Sequence, residues 1–462
     1  MEREKFSSRL GFILISAGCA IGLGNVYRFP IIAGAYGGAF FVLIYLAFLI
    51  LLGIPVMTAE LAVGRASKRS IATSFDVLEK PKQKWHWMKY LGICGNYLLM
   101  MFYTTISGWF VTYFIKYVNG SIMSNTTPEQ LGNTFGATAS DLTSNIFVTF
   151  CVILICFGVC SLGLQKGVEK ITKVMMVALF VLMIGLAVYC CTLDGALAGL
   201  KFYLIPSVEN LTSSGIWTVV SAAMGQAFFT LSLGIGSIAV FGSYIEKDRS
   251  LLGESLTIVS LDTCVAIMSG LIIFPAFFTF NPTATGIGAD QAGASFLFVT
   301  LSNIFNNMLG GRIVGALFFL FMIFAAMSTV IAVFENIVSF WLELTKLNRR
   351  WIALINVLLL MLLTMPFILS NCVESWGSIS ILGKNIGDFE DFLVSNLALP
   401  IGSLVYVLFC THKFGWDWKN YFNEVNTGTG AKLPAWLKNY MKFGLPIIIL
   451  VVLVVSVAPL FS

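Results

Sequence analysis

Charged side chains are scarce in this chain: 11% of its 462 residues are Asp, Glu, Lys or Arg, whereas 58% are hydrophobic. A soluble protein of this length needs far more charge on its surface, so an ordinary soluble fold is excluded and the chain belongs in a bilayer. Histidine is nearly absent. The two present, His86 and His412, fall near predicted membrane boundaries, so no Ser/His/Asp set or HExxH motif can form at membrane depth and no enzyme activity is expected. The ten cysteines contain no C-x-x-C pair, which argues against a zinc site or a disulfide framework and leaves them as small apolar packing residues. Gly-x-Gly occurs, but it follows no strand and opens no βαβ unit, so nucleotide binding is excluded as well.

What is present in abundance is apolar sequence in stretches of membrane length. Windows of about 20 residues place spans near 9–34, 38–63, 86–116, 145–162, 168–191, 215–242, 254–279, 313–342, 352–370, 389–411 and 441–461. That makes eleven spans in an all-α polytopic membrane protein. The first apolar run is too long for a signal peptide and lacks a small-residue cleavage site, so it counts as a span. Positive charge tests the count, because short cytoplasmic loops carry the excess of Lys and Arg. With the N-terminus cytoplasmic, all of the 28 basic residues fall on that side except Arg28, Lys116, Lys201, Arg312 and Lys384. The net charge of +5 is therefore topology rather than nucleic-acid affinity. An odd number of spans puts the C-terminus outside, and the expected location is the plasma (inner) membrane. Sequons at Asn119, Asn125 and Asn210 fall in outside loops.

Two spans carry flaws. Ala17-Gly18-Cys19-Ala20-Ile21-Gly22-Leu23-Gly24-Asn25 puts three glycines and an amide into the first, and Ser232-Leu233-Gly234-Ile235-Gly236 interrupts the sixth. Non-helical backbone at membrane depth is tolerated only where it is buried in protein or lines a polar cavity, and paired breaks of this kind mark the midplane site of a secondary transporter. The polar residues at span centres are Asn25, Glu60, Tyr103, Gln226, Thr230, Ser232, Asp262, Ser328, Thr329 and Glu335, each a functional candidate at that depth. Ala325, Ser328 and Thr329 share one helix face at i, i+3 and i+4, with Val333 a turn further on. Hydroxyls and carbonyls there suit a hard cation. Leu99 and Tyr103 likewise share a face of the third span, offering an apolar contact and a phenol. The plainer alternative for any one of these residues is close helix packing.

At these positions the chain resembles the neurotransmitter:sodium symporter family, above all its bacterial amino-acid members, over nearly its whole length. The resemblance is carried by Gly18-Cys19-Ala20-Ile21-Gly22-Leu23-Gly24-Asn25-Val26-Tyr27-Arg28-Phe29-Pro30, Glu60-Leu61-Ala62-Val63-Gly64-Arg65, Gln226-Ala227-Phe228-Phe229-Thr230-Leu231-Ser232-Leu233-Gly234 and Ala325-Ala326-Met327-Ser328-Thr329. It implies a 5+5 inverted-repeat transporter core with broken first and sixth helices. The repeats would be 1–192 and 193–412, followed by a linker and peripheral eleventh span over 413–462. One sodium site would use Ala20, Asn25, Thr230, Asp262 and the substrate carboxylate; a second would use Gly18, Ile21, Ala325, Ser328 and Thr329. The substrate pocket would comprise Cys19, Gly22, Gly24, Leu99, Tyr103, Phe229, Ser232, Ile235, Thr329 and Val333, with Phe229 as its lid. Arg28 and Asp391 would form the outer gate. On the inner side Arg3, with Lys5 and Arg9 as competitors, would pair with Glu343 beside Tyr244.

The resemblance also narrows the cargo. Monoamine-transporting relatives have aspartate where this chain has Gly22, which favours an amino acid that brings its own carboxylate. Leu99, Ile235 and Val333 make an apolar wall suited to a neutral hydrophobic or aromatic side chain, and Cys19 with the missing twelfth span resembles bacterial tyrosine transporters. Asp262 stands where the family commonly has Asn, and Ala266 where chloride-dependent members have Ser; Tyr45, Gln226 and Thr230 match the other positions around that chloride. Chloride-independent transport is expected, with Asp262 either a fixed sodium ligand or a proton carrier on the empty return step. The fifth span lacks a proline ten residues after Gly167, where this chain has Val177, so opening toward the second sodium site is expected to depend on the inner half of the first span. An amino-acid receptor of the same fold, without net transport, is the alternative.

Overall fold

The computed structural model describes residues 6–122, 126–208, 215–282, 284, 286–287 and 293–458. Arg3, Lys5, Asn125 and Asn210 lie outside the described residues.

Among the described residues, nine helices are long and apolar enough to cross a membrane: Ala39–Ser67, Trp85–Val118, Leu142–Ser161, Leu164–Cys191, Leu251–Phe280, Gly311–Leu344, Arg349–Cys372, Ile386–Thr411 and Leu437–Val457. A tenth is the bent pair Arg9–Ala20 and Gly24–Ala35, whose halves meet at 54°. The sixth expected span is two shorter helices, Ile216–Thr230 and Ser237–Tyr244, neither of membrane length alone. The expected count of eleven therefore requires that pair to cross as one unit.

Both breaks have local causes. The first helix ends at Ala20 because Ile21 turns to extended backbone (ψ 93°) ahead of Gly22, and the chain re-enters through a π-helical turn, Gly24–Arg28, before Pro30 starts the outer half. In the sixth span Gly234 and Gly236 adopt φ of 92° and 83°, which glycine reaches without a Cβ clash. Ser232 adopts φ of 49° without that freedom, a conformation that costs energy unless its surroundings enforce it. The fifth span, without its proline, opens instead on a π-helical turn, Leu164–Glu169. Loop helices that hydropathy did not predict include Pro128–Ser140, fixed by a Thr127/Gln130 capping box, and Ala196–Leu204.

The eighth span is the most enclosed, with 78% of its apolar window buried, and the last is the least, at 28%. The eighth thus forms the axis on which the first and third spans pack, and the last stands at the periphery. The half-helix Ser237–Tyr244 lies against the second span at backbone distance: a Cβ on Gly64 would run into the Ala239 carbonyl, and one on Gly242 would lie 2.7 Å from the Leu61 carbonyl oxygen. Small residues permit such approach between membrane helices. Gly64→Ala should therefore destabilise the purified protein by about 1–3 kcal/mol through overpacking, read as a lowered thermal denaturation midpoint.

Candidate functional site

The two broken spans face each other, and polar side chains from neighbouring helices meet the backbone groups that the breaks release. Glu60, fully buried on the second span, accepts from the amides of Gly234 (2.9 Å), Ile238 (3.1 Å) and Ala239 (3.3 Å), so one carboxylate fixes the sixth-span break and caps its inner half. Asn96 donates to the freed Ile235 carbonyl at 2.8 Å and accepts from Ser237 and Asn336. Gln226 donates to the Gly24 carbonyl at 2.7 Å, and the Leu23 amide donates to the Tyr103 hydroxyl at 2.9 Å.

Two clusters are suited to cations. The Thr329 hydroxyl oxygen lies 3.1 Å from the Gly18 carbonyl, 3.2 Å from that of Ile21 and 3.5 Å from that of Ala325, and Ser328 Oγ lies 2.9 Å from Ala325 O. A hydroxyl has one proton to donate, so it cannot satisfy three carbonyls at once; this crowd of oxygens fits a hard cation with oxygen ligands. The second cluster surrounds Asp262, which is fully buried. Asn25 Nδ2 donates to its Oδ1 at 2.8 Å, Thr230 Oγ1 to its Oδ2 at 3.3 Å, and the Gly22 amide donates to Asn25 Oδ1 at 3.3 Å. Among the described residues no basic side chain forms an ion pair with Asp262; its neighbours are neutral donors, and in its ionised form a bound cation would balance its charge.

Beside both clusters is a hollow of about 10 Å³, lined by Ala20, Gly22, Gly24, Leu99, Tyr103, Phe229, Ser232, Thr329 and Leu399. That is room for about one water. A Cβ on Gly22 would meet the Tyr103 hydroxyl and Thr329 Oγ1, so no larger residue fits there in this arrangement. Three expected pocket residues do not line the hollow. The Cys19 carbonyl lies 3.5 Å from Ser232 Oγ; the Ile235 side chain packs against Gly95; and Val333 is fully buried. Leu399 lines it instead.

A larger cavity of about 410 Å³ lies beyond, bordered by Tyr27, Arg28, Trp109, Phe229, Phe367 and Asp391 among others. Phe229 and Tyr103 border both spaces and separate them. Arg28 places its guanidinium 4.4 Å from the Phe229 ring centre, 3.5 Å from Asp391 Oδ1 and 3.1 Å from Ser395 Oγ, so Arg28 and Asp391 are paired and Arg28 also touches Phe229.

At the opposite end the Tyr244 hydroxyl bonds Glu335 at 2.8 Å and Ser339 at 2.7 Å, and Glu335 pairs with Arg349. Glu343 accepts from the Ser70 amide and the Thr73 hydroxyl. Its expected partner Arg3 lies outside the described residues, and Arg9, the competitor, pairs with Glu254 at 3.0 Å. The backbone roles of Glu60 and Asn96, the Ser395 contact and the Glu335–Arg349 pair were missed from sequence. The available signal was a buried polar residue in an apolar span, which marks importance without naming a partner.

The sequence matches the Sodium:neurotransmitter symporter family over residues 3–133 and 137–461. It is 33% identical over 405 residues to an uncharacterized sodium-dependent transporter of Bacillus subtilis, covering 88% of this chain and 87% of the relative. It is 27% identical over 301 residues to the mouse sodium-dependent neutral amino acid transporter B(0)AT2, covering 59% and 40%. The fold is similar to the crystal structure of MhsT in complex with L-phenylalanine, with a TM-score of 0.86 and 35% identity over 98% of this chain and 100% of that one.

Glu60→Ala would strip three amides of their acceptor at membrane depth. The expected cost is on the order of 3 kcal/mol or more, measured as a fall in thermal denaturation midpoint well beyond that of Glu60→Gln.

Proposed function

This chain belongs to the Sodium:neurotransmitter symporter family, and from that premise we propose that it couples sodium entry to uptake of a neutral amino acid with a hydrophobic or aromatic side chain, without chloride. It is a multi-pass membrane transporter rather than an enzyme. The observation that carries the proposal is the Thr329 hydroxyl set among the carbonyls of Gly18, Ile21 and Ala325, beside a buried Asp262 with neutral neighbours.

In the proposed cycle, sodium binds among these oxygens and a second ion binds at Asp262, Asn25, Thr230 and the Ala20 carbonyl. The substrate carboxylate meets that ion, the Tyr103 hydroxyl and the amides near Gly22 to Gly24, so ion and amino acid favour each other through shared contacts. Leu99, Phe229 and, once the hollow widens, Ile235 and Val333 surround the side chain. Closure of Phe229 beneath Arg28 and Asp391 commits the cargo. Release follows at the Tyr244 end, which the basic-residue distribution makes cytoplasmic. The two broken spans would head inverted repeats over 1–192 and 193–412. Each charge moved down 100 mV supplies about 2.3 kcal/mol, about fiftyfold accumulation before the sodium gradient is counted.

Proteoliposomes test this directly. Labelled phenylalanine or tyrosine should accumulate against its gradient with inward sodium, not with potassium, and a panel of the twenty amino acids should rank neutral apolar ones highest. Binding without accumulation would favour a receptor. Uptake should persist when gluconate replaces chloride, and Asp262→Ser should make it chloride-dependent; a chloride requirement in the unaltered protein would refute this part. Thr329→Val should raise the sodium concentration for half-maximal uptake about tenfold, the equivalent of one lost ligand worth about 1.4 kcal/mol.

A further inference from the structure

The inner half of the first span is gripped at its N-terminus by a carboxylate from another span. Glu169 closes the π-helical turn that opens the fifth span, and its side chain is only 2% exposed. Its Oε2 accepts the Ser7 amide at 2.8 Å; its Oε1 meets the hydroxyls of Ser7 and, at 3.5 Å, Ser8. Lys173 Nζ lies 3.4 Å from Oε1 and 3.0 Å from Ser8 Oγ, and Ser8 itself caps the half-helix through the Gly11 amide.

The contact continues toward the cation cluster. A Cβ on Gly11 would overlap the Glu169 carboxylate, and one on Gly18 would lie 3.2 Å from Thr172 and 3.3 Å from Met176. Gly11 and Gly18 are seven apart, and so are Glu169 and Met176 with Thr172 between them, so one face of each helix supplies the whole seam. Gly18 ends the seam, and its carbonyl is one of the three around Thr329.

A carboxylate removed from water is costly unless its hydrogen bonds are made. Glu169 makes its bonds to Ser7 and Ser8 only while Arg9–Ala20 is docked, and docking is what holds the Gly18 and Ile21 carbonyls on Thr329. We propose that Glu169 is a positioning residue for the Thr329 cation site: a latch that keeps the inner half of the first span closed, and whose release lets the ion leave toward the Tyr244 end. This rests on the sodium assignment above. Coupling is reciprocal, so bound sodium strengthens the latch and the latch strengthens sodium binding.

The test is amide hydrogen exchange on full-length protein in nanodiscs, followed over 9–20 and, for reference, 216–230, across a sodium titration. Glu169→Gln should accelerate exchange in 9–20 about fivefold and raise the sodium midpoint for its protection about threefold, with 216–230 unchanged. Glu169→Asp should fall between. If Glu169→Gln does not yield folded protein, Ser7→Ala removes a hydroxyl that Glu169 holds while leaving the Ser8 cap in place, and carries the same expectation. Unchanged exchange, or acceleration everywhere with an unmoved sodium midpoint, would overturn the latch. A lack of any sodium effect in the unaltered protein would instead overturn the cation assignment, and the latch would then stand or fall on exchange in 9–20 alone.

Discussion

A backbone amide or carbonyl that leaves its helix inside a bilayer has no water to turn to, and this requirement organises the centre of the molecule. Several groups freed by the two breaks find partners from a different span: Glu60 takes the amides at Gly234, Ile238 and Ala239, Asn96 holds the Ile235 carbonyl, Gln226 the Gly24 carbonyl, and Tyr103 the Leu23 amide. At the first break the Gly18 and Ile21 carbonyls share the Thr329 hydroxyl, next to the Ala325 carbonyl, which also accepts from Ser328 Oγ. The proposed cation site thus lies where these carbonyls outnumber the hydroxyl protons available to them.

The same account explains why the ends of the molecule differ. At the Arg28 end one guanidinium serves an ion pair, a hydroxyl and an aromatic face together, and Arg28, Asp391 and Phe229 border a cavity of about 410 Å³. At the Tyr244 end the polar contacts are divided among several groups, including Tyr244–Glu335–Arg349, Arg9–Glu254 and Glu169 with Ser7 and Ser8. Many separate contacts on one side and one residue serving three partners on the other make an asymmetry of construction.

Much of this was legible in the sequence, for reasons that can be named. Glycines at 22, 24, 234 and 236 interrupt otherwise apolar runs, so the breaks announced themselves, and the face holding Ala325, Ser328 and Thr329 followed from helical spacing. Pairs far apart in the chain were a different matter. Arg28 and Asp391 came from family resemblance, and Arg9–Glu254 and Glu169–Ser7 came from neither, because hydropathy identifies a polar residue in a membrane but not which helix will lie beside it. Cys19, Ile235 and Val333, assigned to the pocket by family resemblance, do not line the hollow in this arrangement, because resemblance assigns a position without fixing how tightly the neighbouring break closes over it. One readable signal was overlooked: Thr127, Pro128 and Gln130 spell a helix start outside the membrane core.

The hollow between the breaks holds no more than a water, whereas the oxygens around Thr329 and Asp262 are already gathered. On the proposed assignment this sets an order of arrival. The ions enter prearranged cages with little to rearrange, and the organic cargo comes afterwards as a wedge, spending part of its affinity on prising Phe229, Leu99 and Leu399 apart. Selectivity among side chains would then measure how well each one repays that dilation, rather than how snugly it fits a cup that was waiting for it.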